Sequence, residues 1–260
     1  YFHICCGDLT DEVSINKLLS EIQPDYFINF GANSFVGCSW DMPLQVFDVN
    51  ALGVIRCLEA IRKLKPDCRF YSAGSSEEWG DVDYAPQDIK HPIKPRSPYG
   101  ASKAAARHLV KVYRESHGIY AVHGILFNHE SPRRGEKFVT RKITRGFSRI
   151  DQGIQKTLAM GNIDSLRDWG HARDYVEMQW RMLQEKEPDD YVIATGQQTS
   201  VRNFIEIVAE ELGWQGIRWE GEGLHEIGKR IDNNKTVIRI NPKYMRPSEV
   251  DTLLGDPSKA

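Results

Sequence analysis

A tyrosine and a lysine stand four residues apart where the sequence predicts the beginning of a helix. Tyr99 and Lys103 would then lie on one helical face, about one turn apart. A lysine ammonium in that position favours the phenolate and lowers the pKa of the phenol toward neutral pH. A hydroxyl and a carboxylate, Ser75 and Glu77, stand on a separate upstream segment. These four side chains predict a redox reaction in which a sugar or alcohol hydroxyl loses its proton.

The Tyr-x-x-x-Lys spacing is weak by itself, because a chain of 260 residues can hold such a pair by chance. The alternative is an exposed tyrosine at a helix start beside a solvated lysine, with Glu77 a surface residue in a loop. The hydroxyl and carboxylate upstream, each in a strand-loop-helix context, favour the redox interpretation.

Apolar strands alternate with amphipathic helices along the first half of the chain. The sequence predicts strands at 1–6, 25–31, 68–72, 120–127 and 190–194. It predicts helices at 11–22, 42–64, 98–116, 138–150, 173–185 and 200–213. Nearly continuous apolar strands separated by helices indicate an α/β fold whose parallel sheet is covered on both faces. Ligands of such sheets lie beyond the carboxyl ends of the strands, where Ser75 and Glu77 stand.

Composition excludes several functional classes. The 34 basic and 36 acidic residues give a net charge of −2, which argues against a general nucleic-acid or membrane-surface binder. No apolar run approaches the length of a membrane span. The five cysteines lack Cys-x-x-Cys spacing and the eight histidines lack ligand spacing, so we expect buried reduced thiols, a cytoplasmic protein and no metal.

Several blocks of sequence together resemble the GDP-mannose 4,6-dehydratase family, a branch of the extended short-chain dehydrogenases/reductases. The likeness is carried by residues 7–9, 29–32, 75–77, 96–99 with Lys103, 128–145, 161–172, 246–251 and 253–257. The resemblance implies a Rossmann-like, doubly wound parallel sheet with a smaller, interleaved C-terminal substrate domain. It assigns residues 1–127, joined by 173–195, to the cofactor domain, and 128–172 with 196–260 to the substrate domain.

The same resemblance implies the reaction and the roles of the residues. GDP-mannose would become GDP-4-keto-6-deoxymannose through bound NADP, a first step toward deoxysugars of the GDP-fucose or GDP-rhamnose type. The catalytic residues would be Ser75, Glu77, Tyr99 and Lys103. The cofactor would contact Tyr99 and Lys103 and also Asp8, Leu9, Phe30, Gly31, Ala32, Ser34, His129 and Arg134. The substrate would contact Asn128, Lys142, Arg167, Arg246 and Glu249. A homodimer or homotetramer would form through the helices at 42–64 and 98–116.

The sequence also departs from the family pattern. Gly74 replaces a serine, and Glu78 and Trp79 replace the usual Leu-Tyr pair. No Gly-x-Gly-x-x-Gly motif occurs, so we expect the segment to lack the N-terminal phosphate-binding unit and the C-terminal end of the family. The alternatives are another nucleotide-sugar dehydratase, a reductase or epimerase of the same family, or an inactive fragment. Glu77 argues against a reductase or epimerase, which has no need of an elimination base.

Overall fold

Four parallel strands form the main sheet of the structure, a computed structural model that describes residues 2–245, 248 and 250–260. These strands are β1 (Tyr26–Asn29), β2 (Arg69–Ala73), β3 (Ala121–Leu126) and β8 (Asp190–Ile193). Their order across the sheet is β1-β2-β3-β8, and every neighbouring pair is parallel. All carboxyl ends therefore meet at one edge. The predicted α/β class with a parallel sheet is confirmed.

Helices cover both faces of this sheet. The α-helices of the described residues are α1 (Glu12–Ile22), α2 (Pro43–Phe47), α3 (Gly53–Leu64), α4 (Pro98–His117), α5 (Val139–Asp151), α6 (Ala172–Met182) and α7 (Val201–Glu211). One core packs α1, α3 and α4 on the sheet through residues such as Leu58, Phe70 and Val110. A second core on the opposite face packs α6 against Tyr71, Val122 and Ile193. Burial of both faces is the arrangement that parallel sheets require.

The remaining strands build smaller sheets. They are β4 (Asn128–Glu130), β5 (Leu158–Met160), β6 (Leu166–Arg167), β7 (Trp169–His171), β9 (Thr199–Ser200), β10 (Ile217–Glu220), β11 (Ile227–Arg230) and β12 (Thr236–Ile240). A four-stranded sheet has the order β10-β11-β12-β5, and two-stranded sheets pair β4 with β7 and β6 with β9. A third core joins α5 and α7 to the β10-β11-β12-β5 sheet around Phe147, Ile205 and Trp214. The division into cofactor and substrate domains stays a prediction.

Two predicted elements differ in the structure. Residues 2–7 form no strand, and Phe2 and Ile4 are 92% and 88% exposed. A strand exists only through hydrogen bonds to a neighbour, and this apolar stretch makes no such ladder within the described residues. The predicted helix at 42–64 is divided into α2 and α3 by a π-helical turn, Asp48–Leu52.

The cysteine prediction is partly right. All five thiols are free, and Cys57 and Cys68 are buried. Burial raises the pKa of Cys57 to about 12 and that of Cys68 to about 11, so both are unreactive thiols at neutral pH. Cys5 and Cys6 are exposed, contrary to expectation, because the segment that carries them does not pair with the sheet. Among the described residues, no helix is long and apolar enough to cross a bilayer.

Candidate active site

A cavity of about 740 Å³ opens at the carboxyl ends of β1, β2 and β3 and extends to α5 and the loop after β5. Its lining joins residues that the sequence predicted for three different roles. The predicted residues that line it are Phe30, Ala32, Ser34, Ser75, Glu77, Tyr99, Lys103, Asn128, His129, Arg134, Lys142 and Arg167. Residues up to 137 positions apart in the chain therefore share one site.

The first turn of α4 positions the tyrosine and the lysine. Ser97 caps the helix by accepting a hydrogen bond from Gly100 N at 3.0 Å, and Pro98 occupies the first helical position. Tyr99 and Lys103 then follow one turn apart, and both are buried. Lys103 Nζ lies 6.0 Å from the centre of the Tyr99 ring and donates a hydrogen bond to Ala73 O at 2.7 Å.

The predicted lowering of the Tyr99 pKa is wrong for this structure. Burial raises the pKa of the phenol, and the negative charges of Glu77 and Glu78 raise it further. The hydroxyl of Ser75 opposes this by hydrogen bonding to the phenol oxygen. Burial also lowers the pKa of Lys103 to about 8, so desolvation outweighs the pairing expected from the helical spacing.

The upstream hydroxyl and carboxylate lie on a tight turn after β2. Ser75 Oγ accepts a hydrogen bond from Glu77 N at 3.2 Å at the start of a 3₁₀ turn, Ser76–Glu78. The turn packs directly on α4, because a Cβ at Gly100 would lie 2.4 Å from Glu77 O. This close approach sets Glu77 beside Tyr99, and the Glu77 charge acts on the phenol. Proton removal and proton donation can thus occur at neighbouring points of one substrate.

A buried asparagine that the sequence did not single out orders the loop after β1. Asn50, in the π-helical turn, accepts a hydrogen bond from Asn33 N at 2.8 Å. Its Nδ2 donates to Ser102 Oγ at 3.2 Å, next to Lys103 on α4. The loop that carries Ala32 and Ser34 is therefore tied to the helix that carries the tyrosine and lysine.

An uncharged histidine faces the cavity. His129 Nδ1 donates a hydrogen bond to Phe127 O at 2.9 Å, because a carbonyl can only accept. Its ring stacks on Tyr175 with centroids 4.8 Å apart. Burial lowers the pKa of His129, and the nearby charge of Arg134 lowers it further. The ring is thus neutral at pH 7, with Nε2 as an acceptor.

Cations and amides form the opposite end of the cavity. Lys142 Nζ lies 3.5 Å from the centre of the Tyr244 ring, and burial lowers its pKa to about 8. No carboxylate pairs with Lys142 in the described part of the chain. Arg167 is buried and donates to Leu166 O at 2.9 Å, while Asn128 Oδ1 is buried and has no hydrogen-bond partner among the described residues. This end suits a ligand with negative charge and hydrogen-bonding groups.

The sequence of the chain matches one family over its whole length. A family model described as GDP-mannose 4,6 dehydratase matches residues 1–260. A GDP-mannose 4,6-dehydratase of Vibrio cholerae is 53% identical over 98% of this chain and 71% of its own length. A GDP-mannose 4,6 dehydratase 2 of Caenorhabditis elegans is 48% identical over 100% of this chain and 68% of its own length.

The chain belongs to the GDP-mannose 4,6-dehydratase family. The resemblance inferred from the sequence is thereby confirmed, and so is the Rossmann-like fold. A structure of RMD from Pseudomonas aeruginosa complexed with NADPH superposes with a TM-score of 0.82 at 24% identity, covering 98% of this chain and 79% of that one. A UDP-glucose 4-epimerase from Thermus thermophilus in complex with NAD has a TM-score of 0.78 at 25% identity, with coverages of 97% and 75%.

The cavity of this dehydratase-family chain fits a nicotinamide cofactor. The Lys103 ammonium has three N–H bonds and uses one on Ala73 O; the other two have no partner among the described residues. Ser34, Tyr99 and the acceptor nitrogen of His129 line the same space. Polar donors and acceptors converging beside the ends of parallel strands suit a ribose and a carboxamide.

Three predicted cofactor residues, Asp8, Leu9 and Gly31, lie outside the cavity lining. Asp8 is exposed and accepts hydrogen bonds from Thr10 N and Oγ1 at 2.8 Å, and these bonds lower its pKa. Leu9 packs over Gly31, where an added Cβ would lie 2.4 Å from Leu9 Cδ1. This places them beside the end of β1, next to the cavity. Arg246 and Glu249 lie outside the described residues.

Besides Asn50, the sequence reasoning missed Glu130 and Tyr244. Glu130 is half-buried and pairs with Arg134 at 3.1 Å, so it holds that guanidinium against the cavity wall. Tyr244 covers the Lys142 ammonium. Glu130 directly follows His129, and Tyr244 stands two residues before the predicted Arg246, so proximity to predicted residues was the available signal.

Proposed function

We propose that this family member removes water from GDP-mannose with the aid of NADP and forms GDP-4-keto-6-deoxymannose. One observation carries the proposal: Glu77 and Tyr99 stand side by side in a cavity that also holds Ser75 and Lys103. A base for a hydroxyl and a second base for a neighbouring carbon are what an oxidation coupled to an elimination requires.

Tyr99 would remove the proton from the C4 hydroxyl of the mannose. Ser75 supports this by hydrogen bonding to the phenol oxygen, which stabilises the phenolate. Lys103 would hold the cofactor's ribose and add positive charge beside the phenol. NADP, when bound, would supply the hydride acceptor at C4 and return that hydride at C6.

Glu77 would carry out the elimination. A ketone at C4 makes the C5 proton acidic, and the Glu77 carboxylate would take it. The carboxylic acid so formed would protonate the C6 hydroxyl, which leaves as water, so the proton removed from C5 departs with the leaving group. Return of the hydride to C6 would leave an enolate, and C5 would then take up the proton that Tyr99 had removed from the C4 hydroxyl. The product then differs from the substrate by one molecule of water.

The cationic end of the cavity would bind the nucleotide. Lys142, half-buried and without a carboxylate partner in the described part of the chain, suits the diphosphate, and Arg167 and Asn128 add a guanidinium and an amide. Arg246 and Glu249 are proposed as further contacts on the strength of the resemblance alone. Titration calorimetry should show tighter binding of GDP-mannose than of UDP-glucose or dTDP-glucose; equal affinities would favour another nucleotide branch.

The test of the reaction is Glu77→Gln in the full-length protein, with the exposed Glu115→Gln as control. We expect Glu77→Gln to bind GDP-mannose normally but to form no 4-keto-6-deoxy sugar by mass spectrometry, while Glu115→Gln turns over like wild type. Wild-type turnover in Glu77→Gln would refute the assignment. A product that keeps its C6 oxygen would favour the second candidate, a reductase or epimerase, a class to which the Thermus neighbour belongs.

Assembly and location are proposed from the surface and the thiols. Apolar side chains on the predicted pairing helices are exposed, among them Leu44 at 86% and Val112 at 51%. Such a surface supports a homodimer or homotetramer. The free thiols support a cytoplasmic location.

A further inference from the structure

A glutamate and a histidine are buried together at the 3₁₀ turn Ser76–Glu78, which also carries Glu77. Glu78 and His123 are both 0% exposed, and His123 Nε2 lies 2.9 Å from Glu78 Oε1. They stand 45 residues apart in the chain, on the 3₁₀ turn and on β3. Burial of two such groups costs free energy of folding unless they hydrogen-bond to each other or to neighbouring groups.

The carboxylate holds the catalytic serine in place. Glu78 Oε1 accepts a hydrogen bond from Ser75 N at 2.7 Å, and Ser75 Oγ accepts one from Glu77 N. These reciprocal bonds form a capping box around the turn. A displacement of Glu78 would therefore move the Ser75 hydroxyl away from the phenol that it contacts.

The hydrogen bonds of the pair all converge on one carboxylate oxygen. Glu78 Oε1 accepts a hydrogen bond from Ser75 N and lies in hydrogen-bond contact with His123 Nε2, while Glu78 Oε2 has no partner among the described residues. His123 Nδ1 has no partner among the described residues, which fits a lone pair better than a second N–H. The geometry is compatible with an ionised Glu78 that accepts from a neutral His123 ring protonated on Nε2, and this assignment is part of the proposal tested below.

Glu78 and Lys103 meet adjacent residues at the end of β2: Lys103 Nζ donates to Ala73 O at 2.7 Å, and an added Cβ at Gly74 would lie 2.6 Å from Glu78 Oε1. Burial lowers the pKa of Lys103, and the charge of Glu78 opposes that lowering. The titratable groups around Glu78 are Tyr71 on β2, Tyr99 and Lys103 on α4, His123 on β3, and Glu77 on its own turn. Lys103 is the cation in this set while His123 is neutral.

A glycine makes room for the pair. A Cβ at Gly74 would lie 2.2 Å from His123 Nε2, 2.6 Å from Glu78 Oε1 and 2.7 Å from Gly124 O. Any side chain there would displace the imidazole or the carboxylate. Gly74, Glu78 and His123 are thus one structural unit.

We propose that Glu78, held by His123 and accommodated by Gly74, is a positioning residue that fixes Ser75 and supplies the buried counter-charge of Lys103. The proposal rests on the proposed function, since Ser75 and Lys103 are the residues through which it acts. Glu78 itself is 0% exposed and is not part of the cavity lining, so it acts through these two residues.

The test compares Glu78→Gln with Glu78→Leu in the full-length enzyme, with Glu115→Gln as a surface control. Glutamine keeps an acceptor for Ser75 N but removes the negative charge beside Lys103. Loss of the Lys103 proton should then occur at lower pH, so we expect the alkaline limb of the kcat–pH profile to move down by about one pH unit. Leucine removes both, and kcat should fall about tenfold or more at every pH. An unmoved alkaline limb in Glu78→Gln, whether or not its Tm falls, would overturn the proposal, as would wild-type kcat in Glu78→Leu.

A second measurement needs neither turnover nor a folded variant. Long-range ¹⁵N–¹H spectra of the wild-type side chain should show His123 neutral and protonated at Nε2 at pH 7. An imidazolium or an Nδ1–H tautomer would overturn the proposed charge balance. This measurement does not depend on the reaction. If only the proposed function is wrong, the enzyme will form no 4-keto-6-deoxy sugar but His123 will still give the predicted spectrum.

Discussion

Gly100→Ala tests how closely the Glu77 turn must approach the tyrosine helix. An added Cβ would lie 2.4 Å from Glu77 O and 3.2 Å from Glu77 C, and this neighbour is backbone that cannot rotate away. Because contacts under 3.0 Å do not occur in real structures, the turn and α4 must separate by at least about 0.6 Å. Glu77 and Tyr99 would move apart, although each keeps its own side chain.

The expected effects on stability and on catalysis differ in size. Overpacking costs roughly 1–3 kcal/mol, whereas alanine in a helix gains about 1 kcal/mol over glycine. The free energy of unfolding should therefore fall by about 0–2 kcal/mol, which lowers Tm by only a few degrees. A misplacement of about 1 Å can cost about 100-fold in rate, so we expect kcat to fall between about 10-fold and 100-fold.

The assay is formation of the 4-keto-6-deoxy sugar by the full-length enzyme, with Tm from calorimetry in parallel. Gly146→Ala is the matched control, because it also places a methyl group on a helix. The three atoms nearest to that Cβ all belong to the Leu158 side chain, at 2.8, 3.1 and 3.4 Å, and this side chain can rotate. We expect the control to keep its kcat. Wild-type kcat in Gly100→Ala would refute the idea that this contact sets the catalytic geometry.

Three further predictions follow from the binding surfaces. Burial lowers the pKa of Lys142 to about 8, and lysine binds a diphosphate only when protonated, so GDP-mannose affinity should weaken as pH rises through about 8. Lys142→Arg should flatten this dependence in calorimetry, and an equal slope in both proteins would contradict the role of Lys142. Light scattering should show that the wild-type protein is an oligomer and that Leu44→Glu dissociates it, because Leu44 is an apolar side chain that is 86% exposed in the single chain. A wild-type monomer at micromolar concentration would count against this prediction. The 260-residue chain alone should bind NADP with a dissociation constant above the micromolar range, because it has no Gly-x-Gly-x-x-Gly motif to supply backbone amides for a pyrophosphate. A micromolar dissociation constant would show that reasoning to be wrong.

Much of the fold followed from local patterns in the sequence. The Ser97-Pro98 start of α4 and the four-residue spacing of Tyr99 and Lys103 depend only on neighbouring residues, so both were predictable. The apolar runs of β2 and β3 gave the parallel sheet for the same reason. The β10-β11-β12-β5 sheet was not predicted, because its strands are only three to five residues long. In addition, β12 pairs with β5, which is distant in the chain, and the pairing of β11 with β12 contains a register shift.

Residue types and their helical or strand spacing are local properties, so they were enough to predict which side chains could take part in the chemistry. The electrostatics of those side chains depend on how the chain packs. The direction of the Tyr99 pKa depends on how deeply α4 is buried and on the charges of a separate turn, and the Glu78–His123 pair joins residues 45 positions apart. The missing strand at residues 2–7 likewise depends on a pairing partner elsewhere in the chain. Burial and long-range contacts exist only once distant segments have packed together, which is why no local pattern predicted them.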